Sequence, residues 1–306
     1  MLAHMRAIVS ICLLLLVTLS GAAQSSSLTD QWGSLIDQKK FEQAKRLCNS
    51  WTRSAKLENQ IEAQKCLANV ALYRGQEINL MGNDQGGGTI GEGYKPEAVD
   101  EALKHLNEGL KLAPHDLSIH QGRLHILEVS GRFDAMANAL DESASVMPGN
   151  DVLQDWLPYT AELADMGQLA AGLKLCQVLD KHYPNSHDVI GNIGAFYNMM
   201  KETEKSLPYL QRAVALAPDD AMDNWNLGRA YDFENENELA EKWYSKAMTL
   251  DPEGKNLPGR DCLYAEFVEH KLHDREKACK LQKAACEASR QTACDPEKSI
   301  QTAPPS

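Results

Sequence analysis

The fold of this chain is set by residues 224–252, in which NWNLGRAY (224–231) is followed by AEKWYSKAMTLDP (240–252). Both segments space their apolar residues three and four apart, which predicts two short amphipathic helices. Gly228 is small where the two helices must approach closely, and Pro252 marks the end because proline cannot continue a helix. These residues therefore predict a helical hairpin.

The same pattern recurs along the chain at a nearly fixed period. Five prolines lie 34, 36, 34 and 34 residues apart, and each closes a stretch that reads as two amphipathic helices: Pro114, Pro148, Pro184, Pro218 and Pro252. A period near 34 predicts a stack of hairpins, in which each hairpin buries its apolar face against its neighbours. A stack of this kind is usually a surface that holds another molecule.

The best-matched units resemble the tetratricopeptide repeat. In that family a Leu-Gly pair and a later Tyr belong to the first helix, as Leu227, Gly228 and Tyr231 do here, and a Pro ends the unit. The resemblance covers residues 28–254 and implies an all-α, right-handed superhelical solenoid of about six hairpins, followed by a C-terminal helical hairpin. No long polar linker interrupts the array, so we expect one solenoid domain over residues 24–254.

The first 23 residues have the pattern of a signal peptide. Arg6 is their one formal charge, residues 7–23 are uncharged, and Gly21-Ala22-Ala23 offers small residues for cleavage. The apolar run is short for a membrane span, although an uncleaved N-terminal anchor is the alternative. We expect an exported chain, periplasmic or secreted, that begins near Gln24 and has no integral membrane segment after cleavage.

The net charge narrows the range of partners. The full chain has a formal charge of −12, and removal of residues 1–23 leaves 30 Lys plus Arg against 43 Asp plus Glu. A field of that sign repels nucleic acid and anionic lipid, so the sequence predicts no nucleic-acid partner. An acidic, solvated surface accounts for the charge, and a cationic partner peptide is the alternative.

A glycine-rich insertion at residues 76–96 breaks the period. The residues after Gly91 are Glu92, Gly93 and Tyr94, so the Lys and Ser or Thr of a phosphate-binding loop are missing. We expect a flexible loop, with a lid or contact loop as the functional alternative.

Cysteines concentrate in the capping helices predicted at residues 255–294, beyond which residues 295–306 read as a disordered tail. In an exported protein cysteines are disulfide candidates, and the absence of any Cys-x-x-Cys pair disfavours a metal site, so we predict neither metal nor cofactor. This segment resembles cysteine-rich secreted relatives of the repeat, which implies a Cys286–Cys294 bridge and, second, Cys262–Cys279. Cys48 and Cys66 lie on successive predicted helices and form a third candidate pair, while Cys176 takes a core position as a free thiol.

Nothing in the spacing of the residues requires catalysis, because no nucleophile elbow, zinc-protease motif or distinct carboxylate pair occurs. The family resemblance implies a concave peptide-binding groove formed by the first helix of each hairpin. Its predicted residues are Trp225, Arg229, Asp232, Phe233, Asn198, Met199, Asp165, Gln121, His125 and Glu128. Trp225 and Arg229 are one turn apart and suit a binding hot spot, although Trp225 could instead pack against the next hairpin.

These observations favour an exported, noncatalytic scaffold or adaptor that binds a protein or peptide. Three alternatives stay open: a structural subunit of an envelope assembly, a binder of glycan or peptidoglycan fragments through aromatic residues, and an enzyme whose site forms no visible motif. The sequence does not determine the oligomeric state.

Overall fold

The computed structural model describes residues 25–82, 88–149, 152–255 and 260–285, in which fourteen α-helices form seven consecutive hairpins. Hairpin 1 is α1 (Ser25–Asp37) and α2 (Phe41–Trp51), hairpin 2 is α3 (Leu57–Arg74) and α4 (Pro96–Leu112), and hairpin 3 is α5 (Leu117–Val129) and α6 (Phe133–Val146). Hairpin 4 is α7 (Leu153–Asp165) and α8 (Leu169–His182), and hairpin 5 is α9 (His187–Met199) and α10 (Thr203–Leu216). Hairpin 6 is α11 (Ala221–Phe233) and α12 (Asn237–Leu250), and hairpin 7 is α13 (Arg260–His270) and α14 (Arg275–Ala285). The prediction of an all-α array of six hairpins with a C-terminal hairpin is confirmed.

The turn inside a hairpin is made by one residue in the left-handed backbone conformation. In hairpins 3, 4 and 6 this residue is Gly131, Gly167 and Asn235, with φ of 69°, 72° and 59°. Glycine and asparagine adopt this conformation most readily, and the following amide closes the helix end. Glu236 N, for example, donates to Tyr231 O at 2.9 Å.

The prolines that mark the period precede the caps of the next hairpin. Two residues after Pro114, Pro184 and Pro218 lie the caps Asp116, Ser186 and Asp220. Each cap side chain accepts a hydrogen bond from the backbone amide three residues further along the chain. Each cap satisfies an amide that has no partner within the helix, which fixes where the first helix of the hairpin begins.

Glycines allow close approach between the two helices of a hairpin. A Cβ at Gly194 would lie 2.6 Å from Leu210, and one at Gly228 would lie 2.7 Å from Tyr244. The side chains of α10 and α12 therefore pack directly on the backbone of the preceding helix.

The insertion in hairpin 2 differs from the flexible loop that we expected. Strands β1 (Gln76–Gly82) and β2 (Gly88–Tyr94) pair in antiparallel register from Gln76 opposite Tyr94 to Gly82 opposite Gly88. Lys95 N donates to Gly75 O at 2.9 Å and closes the base of the strand pair. The β-branched residues of these segments favour extended backbone, a preference that the glycine content obscured in the sequence.

The chain divides into two compact units, residues 1–156 and 157–306, where we had expected one solenoid domain. Unit 1 contains hairpins 1 to 3 and unit 2 contains hairpins 5 to 7, while the division falls within α7 of hairpin 4. The predicted signal peptide lies outside the described residues. Among the helices that the structure does describe, none is long and apolar enough to cross a membrane.

The described cysteines are oxidised except one. Cys48 and Cys66 form a disulfide that joins α2 to α3, with their Cα atoms 6.0 Å apart. Cys262 and Cys279 are each disulfide-bonded as well, but their pairing with each other stays a prediction. Cys176 is a free thiol, and burial raises its pKa to about 12. Cys286 and Cys294 lie outside the described residues, so their bridge stays a prediction.

Candidate functional site

The first helices of hairpins 5 and 6 contain most of the predicted groove residues of unit 2. Asn198 and Met199 end α9, and α11 supplies Trp225, Arg229 and the pair Asp232 and Phe233. Asp165, at the end of α7, is exposed, and Met199 is half-buried.

Trp225 is a core residue. Its side chain is 1% exposed, and its ring lies 4.5 Å from that of Tyr244, centroid to centroid. The guanidinium of Arg260, on α13, lies over the Trp225 ring, 5.5 Å from its centroid. Trp225 therefore has the packing role that the sequence left open, and the prediction that it is an exposed anchor is wrong because hairpin 7 covers it.

Asn198 is likewise buried, and it joins α9 to α11. Its Nδ2 donates to the carbonyl oxygen of Asn226 at 3.0 Å, and the residue is 1% exposed. A buried amide bonded to a neighbouring helix holds two hairpins together, so Asn198 does not present its side chain to a ligand.

Arg229 and Phe233 remain at the surface of α11. The Arg229 guanidinium lies 5.8 Å from the centroid of the Phe233 ring, and the Phe233 side chain is 45% exposed. An arginine over an accessible aromatic ring combines charge with apolar area, as binding surfaces require.

Arg260 is a site residue that the sequence prediction missed. Burial and the charge of Arg229 both lower the pKa of Arg260, which means that the two cations interact. Among the described residues, neither arginine forms an ion pair or a hydrogen bond, and the buried Nε of Arg260 has no partner. Arg260 also begins α13, where the helix dipole is positive. Arg260 lies within the capping helices predicted at residues 255–294, for which no binding role was predicted.

Asp232 faces the next hairpin. It accepts a hydrogen bond from the Tyr244 hydroxyl at 3.5 Å and lies 3.6 Å from the Lys271 ammonium. Burial, with the charge of Asp232, raises the pKa of Tyr244. Asp232 is thus bound to protein partners in hairpins 6 and 7, and in the part of the chain that the structure describes it forms no ion pair with either arginine.

The remaining predicted residues form a separate polar group in unit 1. Gln121 donates to Asp155 at 3.3 Å, and His125 Nδ1 lies 3.6 Å from Glu128 Oε2. Glu128 is only 4% exposed, and its Oε1 has no hydrogen-bond partner among the described residues. Glu128 is therefore a buried acceptor and not the exposed groove residue that we predicted.

One serine and one histidine meet in unit 1 at a distance typical of catalytic pairs. Ser143 Oγ lies 2.7 Å from His120 Nδ1, and His120 Nε2 donates to the carbonyl oxygen of Pro114 at 2.8 Å. Both side chains are buried and burial lowers the pKa of His120. The Ala139 carbonyl oxygen lies 2.6 Å from Ser143 Oγ and competes with His120 Nδ1 for the one hydroxyl proton. The pair ties α5 to α6 and offers no substrate access.

A second ionisable group lies between hairpins 5 and 6. It consists of one imidazole nitrogen of His187 and one carboxylate oxygen each of Asp220 and Asp223, which lie within 4.8 Å of one another. The His187 Nδ1–H donates to Asp223 at 2.8 Å, so the two side chains already satisfy each other.

Comparison with known proteins adds the family. The tetratricopeptide repeat family matches residues 224–253, which correspond to hairpin 6. The Hsp70-Hsp90 organising protein of Plasmodium falciparum (isolate 3D7) is 24% identical over 182 residues, covering 57% of this chain and 29% of that protein. The chain thus spans less than a third of the length of this curated relative.

Two solved structures are similar at low identity. The C-terminal part of a TPR repeat-containing protein from Cytophaga hutchinsonii is 14% identical, with 83% of this chain and 92% of that chain covered and a TM-score of 0.48. Pseudomonas aeruginosa pilF is 15% identical, with 61% and 83% covered and a TM-score of 0.42. The match at hairpin 6 and the seven consecutive helical hairpins identify the chain as a tetratricopeptide-repeat protein.

Proposed function

We propose that this protein is an exported, noncatalytic scaffold that binds an acidic segment of a partner protein at Arg229 and Arg260. The observation that carries the proposal is that these two guanidinium groups influence each other and that neither has a carboxylate partner among the described residues. Repulsion between the two positive charges destabilises the fold, and a cation at a helix N-terminus is unfavourable. A carboxylate from a partner relieves both costs.

The surroundings of the two arginines add specificity to charge. Arg260 is held over the Trp225 ring and Arg229 lies over Phe233. A guanidinium fixed by stacking loses little freedom when it binds, and it can donate two parallel hydrogen bonds to a carboxylate. The exposed Phe233 ring supplies apolar contact beside the charge. An extended peptide with an acidic residue next to an apolar one suits this surface.

Two further observations support the scaffold and its export. The relative from Plasmodium falciparum is named as a protein that organises two others, which agrees with a scaffold role. Disulfides form in oxidising compartments, and the Cys48–Cys66 bond supports export to the periplasm or beyond. The glycan-binding alternative loses its main aromatic platform because Trp225 is buried.

A peptide selection on the purified full chain tests the proposal. We expect random peptides that bind the wild type to be enriched in Asp and Glu, and we expect Arg229→Ala and Arg260→Ala each to weaken the selected peptides about tenfold or more. Fluorescence anisotropy measures the dissociation constants, and affinity should fall as salt rises.

Lys242→Ala is the matched control. Lys242 lies over the Trp243 ring at 4.9 Å, so it is also a cation on an aromatic residue of hairpin 6, but it is on α12. Its removal should leave the dissociation constants unchanged. Selected peptides without acidic enrichment, or equal losses from all three substitutions, contradict the proposed site.

A further inference from the structure

Four ionisable side chains meet where the first helices of hairpins 5 and 6 pack together. His187 and Asp188 begin α9, Asp220 caps α11, and Asp223 lies in the first turn of α11. His187 Nδ1 is 2.8 Å from Asp223 Oδ2, and His187 Nε2 is 3.8 Å from Asp188 Oδ1. Three carboxylates therefore surround one imidazole, and the contact crosses from one repeat to the next.

The Asp223 carboxylate is enclosed by the neighbouring helix. It is 3% exposed, and its Oδ1 would lie 2.2 Å from a Cβ at Gly191 on α9. The missing Cβ of Gly191 is what allows the carboxylate to reach the backbone of α9. A carboxylate removed from water to this extent depends on its protein partners for stabilisation of its charge.

Both members of the pair bind a proton more readily in the folded protein. Burial raises the pKa of Asp223 to about 6, and the charges of Asp220 and Asp188 act in the same direction. Burial alone lowers the pKa of His187, but the hydrogen bond to Asp223 and the charges of Asp188, Asp223 and Asp220 raise it overall. Because both pKa values are raised on folding, proton binding by the pair stabilises the folded protein at low pH. This stabilisation is lost as the pH rises through the pKa of the folded state.

We propose that the His187–Asp223 pair is a pH-sensitive clamp between hairpins 5 and 6. Uptake of one proton tightens the contact of α9 with α11, and its loss loosens that contact. The Asn198–Asn226 bond between the same helices does not titrate and holds the hairpins together throughout. The gain or loss of one proton therefore changes the strength of the contact without breaking it. It is independent of the proposed peptide surface, because neither side chain belongs to that surface.

Hydrogen exchange of the full chain at pH 6 and pH 8, corrected for the intrinsic effect of pH, tests the clamp. In the wild type we expect slower exchange in α9 and α11 at the lower pH, by at most about tenfold per pH unit for one proton. Asp223→Asn removes the carboxylate that accepts from His187, so the difference in protection between the two pH values should shrink. Asp219→Asn removes an exposed acid beside the cap and should keep the wild-type response. All solutions contain EDTA so that a bound cation cannot mimic the proton.

A second measurement needs no substitution, since Asp223→Asn could disturb the packing. Titration of the His187 imidazole by NMR in the wild type should give a pKa above the ordinary histidine value. A His187 that titrates at or below that value overturns the clamp. So does an equal pH response of α9 and α11 in the wild type and in a folded Asp223→Asn variant.

Discussion

Hairpin 6 and the N-terminal hairpins build the same architecture by different means. In hairpin 6, Gly228 lets the Tyr244 ring approach α11, and the Trp225 ring packs on the other side of Tyr244. In hairpins 1 and 2 a disulfide joins α2 to α3 through Cys48 and Cys66. Glu101 of α4 also pairs with Lys45 and Arg74. Where the aromatic and glycine positions of the repeat are kept, packing provides the stability. The N-terminal hairpins have an apolar core of their own, to which a covalent bond and ion pairs are added.

The largest effect should come from removal of the aromatic centre of hairpin 6. Trp225→Ala deletes a fully buried ring that contacts Tyr244 and Arg260, so we expect a loss of about 3–5 kcal/mol in the free energy of unfolding of hairpins 6 and 7. Chemical denaturation gives the total loss, and hydrogen exchange locates it.

Phe233→Ala is the control on the same helix. Its ring is 45% exposed, so the change in unfolding free energy should stay within about 0.5 kcal/mol. If Trp225→Ala is equally mild, packing does not carry hairpin 6, and the contrast with the N-terminal hairpins fails.

The second effect should appear in the other region. Replacement of both Cys48 and Cys66 by Ser opens a link between residues 18 apart in sequence, and a loop of this size contributes about 3 kcal/mol by chain entropy. We expect faster hydrogen exchange in α2 and α3 and no change in α11 and α12. Cys176→Ser, at a buried free thiol, is the control for the loss of sulfur alone. Unchanged exchange in α2 and α3 would show that the ion pairs of Glu101 suffice.

The hairpins could be predicted from the sequence because their determinants are local. Pro218 and Asp220 set the start of α11, and Asn235 makes its turn, all within one repeat. The Cys48–Cys66 pair could be anticipated because its residues lie on successive helices. In both cases the residues that allow the prediction lie close together along the chain.

The site could be predicted only in part, because it depends on contacts between repeats. Helical spacing placed Trp225 and Arg229 on one side of α11, but it could not show that α13 covers Trp225. Arg260 comes near Arg229 only through that packing, so the spacing of residues within one repeat could not reveal it. His187 and Asp223 are 36 residues apart, close to one period, so comparison of equivalent positions in neighbouring repeats could have revealed them.

The smallest effects should come from replacing one glycine by alanine in each region. The two changes in the free energy of unfolding should have opposite signs. At Gly33, in α1, an added Cβ meets nothing within 4 Å, so Gly33→Ala should stabilise the protein by about 0.5–1 kcal/mol through helix propensity. At Gly228 the Cβ would lie 2.7 Å from Tyr244 Cδ1, in a ring that Trp225 and Phe267 confine.

Because Tyr244 cannot move away without disturbing these rings, overpacking should outweigh the propensity gain, and Gly228→Ala should cost about 1–2 kcal/mol. Urea denaturation of the two variants gives the sign of both stability changes, provided that the unfolding free energy depends on urea concentration with the same slope in each. Stabilisation by both substitutions would mean that α12 can withdraw from α11. The close contact made possible by Gly228 would then not be what distinguishes hairpin 6 from the N-terminal pair.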